Sequence, residues 1–311
     1  MVFWWEMDVC DHIGCSAIRC RDASHTMLDT SGGDTRPDPS SCVIINGQIQ
    51  KFDPKEWKVC DLNDALKCAA FRGNIDHVKM YRESGANNLG EAMCWAARGG
   101  HYDIVVLLHI WGANNLNQVI RYASEYGHFK IVEFCVEKDV DDCDAAMCIA
   151  ACGGYLDIFE LCASQEVNDY DEAMCAAAQN GHTKIVKLCK KMGAENINEV
   201  MSRAAECGYI AIVELCIEWR ATNLDEAICE AALSGHTEIV KLLRGHGAGD
   251  LDKVMYNAVW GNHIEIVKLC KEWGAKDFNS AIHKAYSCNY NDAARLLIKW
   301  KLAALSDELS D

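Results

Sequence analysis

The chain has 311 residues, 50% of them apolar and 24% charged, with a formal net charge of −16. This is a globular composition, and the excess of acid excludes nucleic acid and a membrane surface read by basic clusters as general partners. Three prolines favour helix over loop-rich β structure, and no run of 18 apolar residues offers a membrane-spanning segment.

In chain order, the opening stretch MVFWWEMDVC has neither the basic leader nor the long apolar core of a signal peptide. The 19 cysteines are therefore expected as reduced thiols in a cytoplasmic setting. Residues 1–33 form a Cys-rich N-terminal segment and linker, in which Cys10, His12, Cys15, Cys20 and His25 fall close together, with Cys42 and Cys60 further on. Zinc takes four N or S ligands, typically from C-x₂₋₄-C pairs. The C-x₄-C-x₄-C spacing here matches no such set, so no metal is expected, and a zinc site is the alternative. The stretch LDTSGGDTRPDPSS (28–41) is turn-rich. Residues 34–60 are in phase with the repeat that begins at Asp61, since Asn46 stands one period before Gly73. They are predicted to be a degenerate N-cap unit.

From residue 61 the chain repeats. Gly73, Gly100, Gly127, Gly154, Gly181, Gly208 and Gly235 recur at every 27th position, and the next two steps land on Asn262 and Asn289. Nine such periods fill 61–303 without insertion or deletion. With Asp61 as position 1, position 1 is always Asp or Asn and position 9 is always Ala. Asp or Asn at position 3 (Asp171, Asn198, Asp225, Asp252) is predicted to cap a first helix. Its apolar stripe lies at positions 5, 6, 9 and 10, and Gly at position 13 ends it in a left-handed turn. A second helix follows, with apolar residues at 17, 18, 20, 21 and 24, and Gly-Ala at 25–26 closes it. Helices this short do not survive alone in water, so each pair must bury its apolar side against its neighbours. The predicted fold is all-α, a solenoid of helix–turn–helix repeats, with an acidic tail over 304–311 that is expected to fray.

The pattern A-A-x-x-G-H-x-x-I-V-x-L-x-x-x-x-G-A appears as AAQNGHTKIVKLCKKMGA (177–194), AALSGHTEIVKLLRGHGA (231–248) and AARGGHYDIVVLLHIWGA (96–113). It resembles the helical core of the ankyrin repeat. An ordinary ankyrin unit has about 33 residues. The six missing here fall after the closing Gly-Ala, where ankyrins carry a β-hairpin finger, so finger-less units are expected. The ankyrin T-P-L-H is replaced by EAMC (91–94) and EAIC (226–229). Such a unit, with CKEWGAK (270–276), is similar to the multi-copy ankyrin-repeat families of large DNA viruses, marseilleviruses above all. The resemblance implies a non-enzymatic protein–protein interaction scaffold of viral origin. Such a protein would be a monomer that binds a host or viral protein in the host cytoplasm. A virion structural component and a ubiquitin-ligase substrate adaptor are the alternatives. No F-box-like helix set in 1–60 or after 303 supports the adaptor.

No G-x-S-x-G, no phosphate loop and no H-E-x-x-H occurs. Neither catalytic residues, nor a cofactor, nor a small-molecule substrate is therefore expected. Cysteines at position 21 (Cys135, Cys162, Cys189, Cys216, Cys270) alternate with Leu108, Leu243 and Leu297 and read as small core hydrophobes. A Cys148–Cys162 disulfide is the rival. Histidines at position 14 (His101, His128, His182, His236, His263) share their place with Tyr155, Tyr209 and Tyr290. That substitution predicts a turn residue hydrogen-bonding between neighbouring loops, not a metal ladder. Function belongs where the units differ, at positions 8, 11 and 12 on the exposed side of the first helices. There Phe71, Trp95, Arg98, Tyr122, Tyr126 and Ile149 have the composition of an interface hot spot. They are the predicted partner-binding residues, unless the segment 1–60 folds over them. Val106, Ile110 and Val136, on the outer side of the second helices, are a second candidate patch.

Overall fold

The computed structural model describes residues 42–45, 48–51 and 59–308. Strands β1 (Cys42–Ile45) and β2 (Gln48–Lys51) pair antiparallel, with Cys42 opposite Lys51 and Ile45 opposite Gln48. This differs from the worn helix pair expected over 34–60. The reason is in the sequence: CVII and QIQK flank Asn46-Gly47, the dipeptide best suited to a two-residue hairpin loop.

Everything else described is helical. Two compact units divide the chain, Met1–Cys135 and Val136–Asp311. In the first lie α1 (Val59–Phe71), α2 (Ile75–Glu83), α3 (Leu89–Arg98), α4 (Tyr102–Ile110) and α5 (Leu116–Glu125). Helix α6 (Phe129–Val136) ends at the boundary. In the second lie α7 (Cys143–Gly153), α8 (Leu156–Ala163), α9 (Tyr170–Gln179), α10 (Thr183–Lys191), α11 (Ile197–Cys207) and α12 (Ile210–Glu218). They are followed by α13 (Leu224–Ser234), α14 (Thr237–Gly245), α15 (Leu251–Trp260), α16 (Ile264–Glu272), α17 (Phe278–Ser287) and α18 (Asn291–Glu308). The fold is an all-α helical-repeat solenoid. The second helices start exactly one sequence period apart from Ile75 to Asn291, and the first helices do so from Leu89 to Phe278. Helix α18 continues to Glu308, through most of the tail expected to fray.

Within each unit, first helices pack broadly on the next first helix, and second helices touch more lightly. Alanine at position 9 lets the first helices approach: Ala96, Ala123, Ala150, Ala177, Ala204, Ala231, Ala258 and Ala285 are wholly buried. Around them Met93, Met147, Met174 and Met201 join the Ile-Val pairs of the second helices, such as Ile185-Val186 and Ile239-Val240. Full burial of each such side chain contributes about 1.5–3 kcal/mol, which the isolated short helices lack.

Position 3 does not cap its own helix. The N-cap is position 1, as in Asn88, Asp250 and Asp277, whose side chains accept from Glu91, Lys253 and Ser280 N–H. The position-3 oxygen instead accepts backbone N–H groups from the loop that opens the next helix pair. Asp171 Oδ1 takes Glu195 N and Asn196 N, both at 2.7 Å. Asp252 Oδ1 takes Lys276 N and Asp277 N at 2.6 and 2.8 Å. Asn63 and Asp144 do the same for Asn87-Asn88 and Asn168-Asp169. Capping and stapling both call for a short acceptor, so the sequence pattern alone does not separate them.

Candidate functional site

Where position 14 is His, its ring pins the loop between the two helices of the pair to the preceding pair. His101 Nε2 lies 2.8 Å from Phe71 O, His182 Nε2 3.0 Å from Cys152 O, His236 Nε2 2.9 Å from Glu206 O and His263 Nε2 3.0 Å from Leu233 O. A carbonyl oxygen only accepts, so Nε2 carries the proton and donates. Each of these carbonyls lies in the last turn of a first helix, where no intrahelical partner exists. The His ring supplied by the next helix pair satisfies it. The ring lies over the preceding position-13 Gly: a Cβ on Gly208 (φ +87°) would stand 2.6 Å from His236 Cε1.

With the loops fixed, the ends of the first helices present positions 8, 11 and 12. In the first unit Phe71, at the end of α1, meets Trp95 of α3 edge to face, with ring centroids 5.8 Å apart at 90°. Arg98 ends α3, and its Nε donates to Tyr126 Oη at 2.9 Å. Its guanidinium carbon is 5.2 Å from both the Trp95 and the Tyr126 ring centroids. Tyr126 in turn stacks on His128, whose Nε2 donates to Arg98 O at 3.2 Å. Four of the predicted site residues, Phe71, Trp95, Arg98 and Tyr126, are thus one connected cluster. Tyr122, on the same helical side of α5, is 38% exposed. Ile149 belongs to the second unit, half-buried on α7.

Electrostatics beside this cluster come from Lys67, which is nearly buried and donates to Asp64 at 2.8 Å and Glu91 at 3.2 Å. Burial alone would lower the ammonium. The hydrogen bonds to the two carboxylates reverse that and hold it above its ordinary value.

The second unit carries a cluster that the sequence pattern does not single out. Lys284 Nζ lies 3.7 Å from the centroid of Trp260 and 5.4 Å from that of Tyr256, and Trp260 is 48% exposed. Burial, then Glu206 and Glu226, raise the Glu230 carboxyl. Of the second set of candidate residues, Ile110 is 72% exposed and Val106 half-buried in the first unit, while Val136, half-buried, belongs to the second. Nearby Phe134 packs edge-on to Tyr102 and His109.

The position-21 cysteines are buried; of them Cys162, Cys189, Cys216 and Cys270 are free thiols, as are Cys94 and Cys148. Burial pushes Cys162, Cys189, Cys216 and Cys270 up to about 12. Such thiols pack as hydrophobes. Cys10, His12, Cys15, Cys20 and His25 lie outside the described residues. Among the described residues, no group of three His, Cys, Asp or Glu side chains could hold a metal ion, and no helix is long and apolar enough to cross a membrane.

The phase of the helix pairs and the histidine ladder bear on what the chain is similar to. Residues 119–200 match the family model of ankyrin repeats, three copies. The matched span is the length of about three of these helix pairs. No curated protein matches the chain. Ankyrin repeats generally mediate protein–protein interaction, and the helical-repeat architecture agrees with that role.

Proposed function

We propose that this protein is a non-enzymatic scaffold that binds a protein partner through the first-helix face of its first unit, centred on Phe71, Trp95, Arg98, Tyr122 and Tyr126. The observation that carries this reading is the pre-formed cluster around Arg98. Side chains already locked against each other lose little entropy on binding, and Trp, Tyr and Arg dominate interface hot spots. Ile149 is a separate contact on the second unit in this reading. A viral source and a host or viral partner in the cytoplasm rest on the resemblance of the 27-residue unit alone.

The test compares partners recovered from infected or native cells by wild type and by the Trp95→Ala/Tyr122→Ala variant, using quantitative mass spectrometry. Proteins lost with the variant at unchanged helicity support this face. Identical recovery removes it. The same partners, sought in purified virions, separate a virion component from a soluble scaffold.

A further inference from the structure

Arg98 is held unlike Arg203, Arg244 and Arg295. Arg203 pairs with Glu199 at 2.7 Å, Arg244 donates to Ala248 O, and Arg295 faces Asp292 at 3.9 Å. Arg82 rests on Trp111, and among the described residues no hydrogen bond orients its guanidinium. Arg98 is oriented by the Tyr126 hydroxyl on Nε and held between two aromatic rings, with its backbone carbonyl pinned by His128. Among the described residues, no carboxylate lies within ion-pair distance of it, in a chain of net charge −16. With Nε engaged, the end-on pair of Nη groups remains, and this is the edge that takes a carboxylate in bidentate fashion.

Resting on the surface reading above, we propose that the partner presents an acidic segment. An Asp or Glu carboxylate of that segment occupies the Nη fork of Arg98, and an apolar side chain next to it lies on Trp95 and exposed Tyr122. Charge complementarity favours this occupant: the fixed cation of the cluster sits among apolar rings, where an ion pair is less screened than at the open surface. A basic segment would meet Arg98 as a like charge.

The probe is a library of short random peptides displayed on phage and selected against the full chain in reducing buffer. Selected peptides are then measured against wild type, Arg98→Gln, Arg98→Lys and Tyr122→Ala, each with helicity checked by circular dichroism. The expected result is enrichment of Asp or Glu beside Leu, Ile, Phe or Trp. Affinity should fall about tenfold or more in Arg98→Gln, and Arg98→Lys should restore only part of it, because the ammonium lacks the fork. Peptides that lose affinity with Tyr122→Ala but not with Arg98→Gln overturn the acidic partner and leave the surface standing. Enrichment of Lys and Arg overturns it too. No enrichment, or indifference to all three substitutions, overturns both readings.

Discussion

Phe71 and Trp95, at equivalent ends of two adjacent first helices, meet edge to face. Trp260 and Lys284 are separated by the same interval in the sequence and also touch. A longer interval, one period plus one position, joins Arg98 to Tyr126 and Cys152 to Asn180. Position 11 of one helix pair therefore touches positions 8 and 12 of the next. The rule turns a one-dimensional repeat into a contact map of the variable face.

The rule predicts energetic coupling. A double-mutant cycle of Phe71→Leu and Trp95→Leu should give an interaction term of about 0.5–1.5 kcal/mol by urea unfolding, the range for an edge-to-face pair. A coupling within error of zero would show that the rings meet without mutual stabilisation.

The histidine ladder makes a second prediction. Ala at position 208 would adopt a left-handed backbone at a cost of about 1–2 kcal/mol and would displace the His236 ring, losing its bond to Glu206 O for about 1 kcal/mol more. In a His236→Ala background, Gly208→Ala should therefore cost less. Gly193, at φ +107°, has nothing within 4 Å of an added Cβ. The cost of Gly193→Ala should be the same with or without His236. Equal costs for Gly208→Ala in both backgrounds would remove the ring from the explanation.

What the sequence makes legible depends on the range of each signal. The period, the left-handed turn at position 13 (Gly in seven pairs, Asn262 and Asn289 in the last two) and the buried Ala at position 9 depend on local backbone or on a steric demand that every helix pair repeats, so the copies expose them. Asp171 reads as a cap because its acceptor serves amides in the next helix pair, and nothing local distinguishes that from capping. The Trp260–Lys284 pair stays hidden for a related reason: the two residues occur on separate helices, and their meeting depends on helix spacing. Trp95 and Arg98 stand out because they share one helix turn. The β1–β2 hairpin is marked by Asn46-Gly47, but the repeat phase of the same segment argues for helix and outweighs it.

Ser124 breaks the pattern at position 10, where Ala70, Ala97, Ala151, Ala178, Ala205 and Ala232 stand. It is wholly buried, and its Oγ has no hydrogen-bond partner among the described residues. A stranded hydroxyl costs about 1–3 kcal/mol. Ser124→Ala should stabilise the protein by about 1 kcal/mol, read as a higher midpoint in thermal or urea unfolding. A lower midpoint would mean that the hydroxyl is engaged.

The thiols set an alkaline limit. Cys162, Cys189, Cys216 and Cys270 sit at about 12 in the fold, against 9.0 for a free thiol. Above pH 9 the unfolded chain releases these protons and the folded one keeps them, so stability is present below pH 9 and is lost as pH rises towards 12. Each thiol contributes up to about 1.4 kcal/mol per pH unit. Urea unfolding at pH 8, 9 and 10 should show a falling midpoint, and Cys189→Val/Cys216→Val should flatten the fall. An unchanged slope in that variant would assign the alkaline loss to other groups.

Asp169 and Asp171 separate capping from stapling on one helix. Asp169 occupies the N-cap of α9 but makes no side-chain bond there. Asp171, in the first turn, takes two N–H groups of the following loop. Asp171→Ala should leave both amides to water and cost about 1 kcal/mol, within the range of lost side-chain-to-backbone bonds at helix ends. Asp171→Asn, which keeps an oxygen acceptor, should cost less. Asp169→Ala should cost a few tenths, the share of its charge at the helix N-terminus. Hydrogen exchange supplies a readout that a general loss of stability would not imitate: protection should drop first at Glu195 and Asn196 in Asp171→Ala. If Asp169→Ala proves the costlier change, the position-1 cap outweighs the position-3 staple and the ranking drawn from these contacts fails.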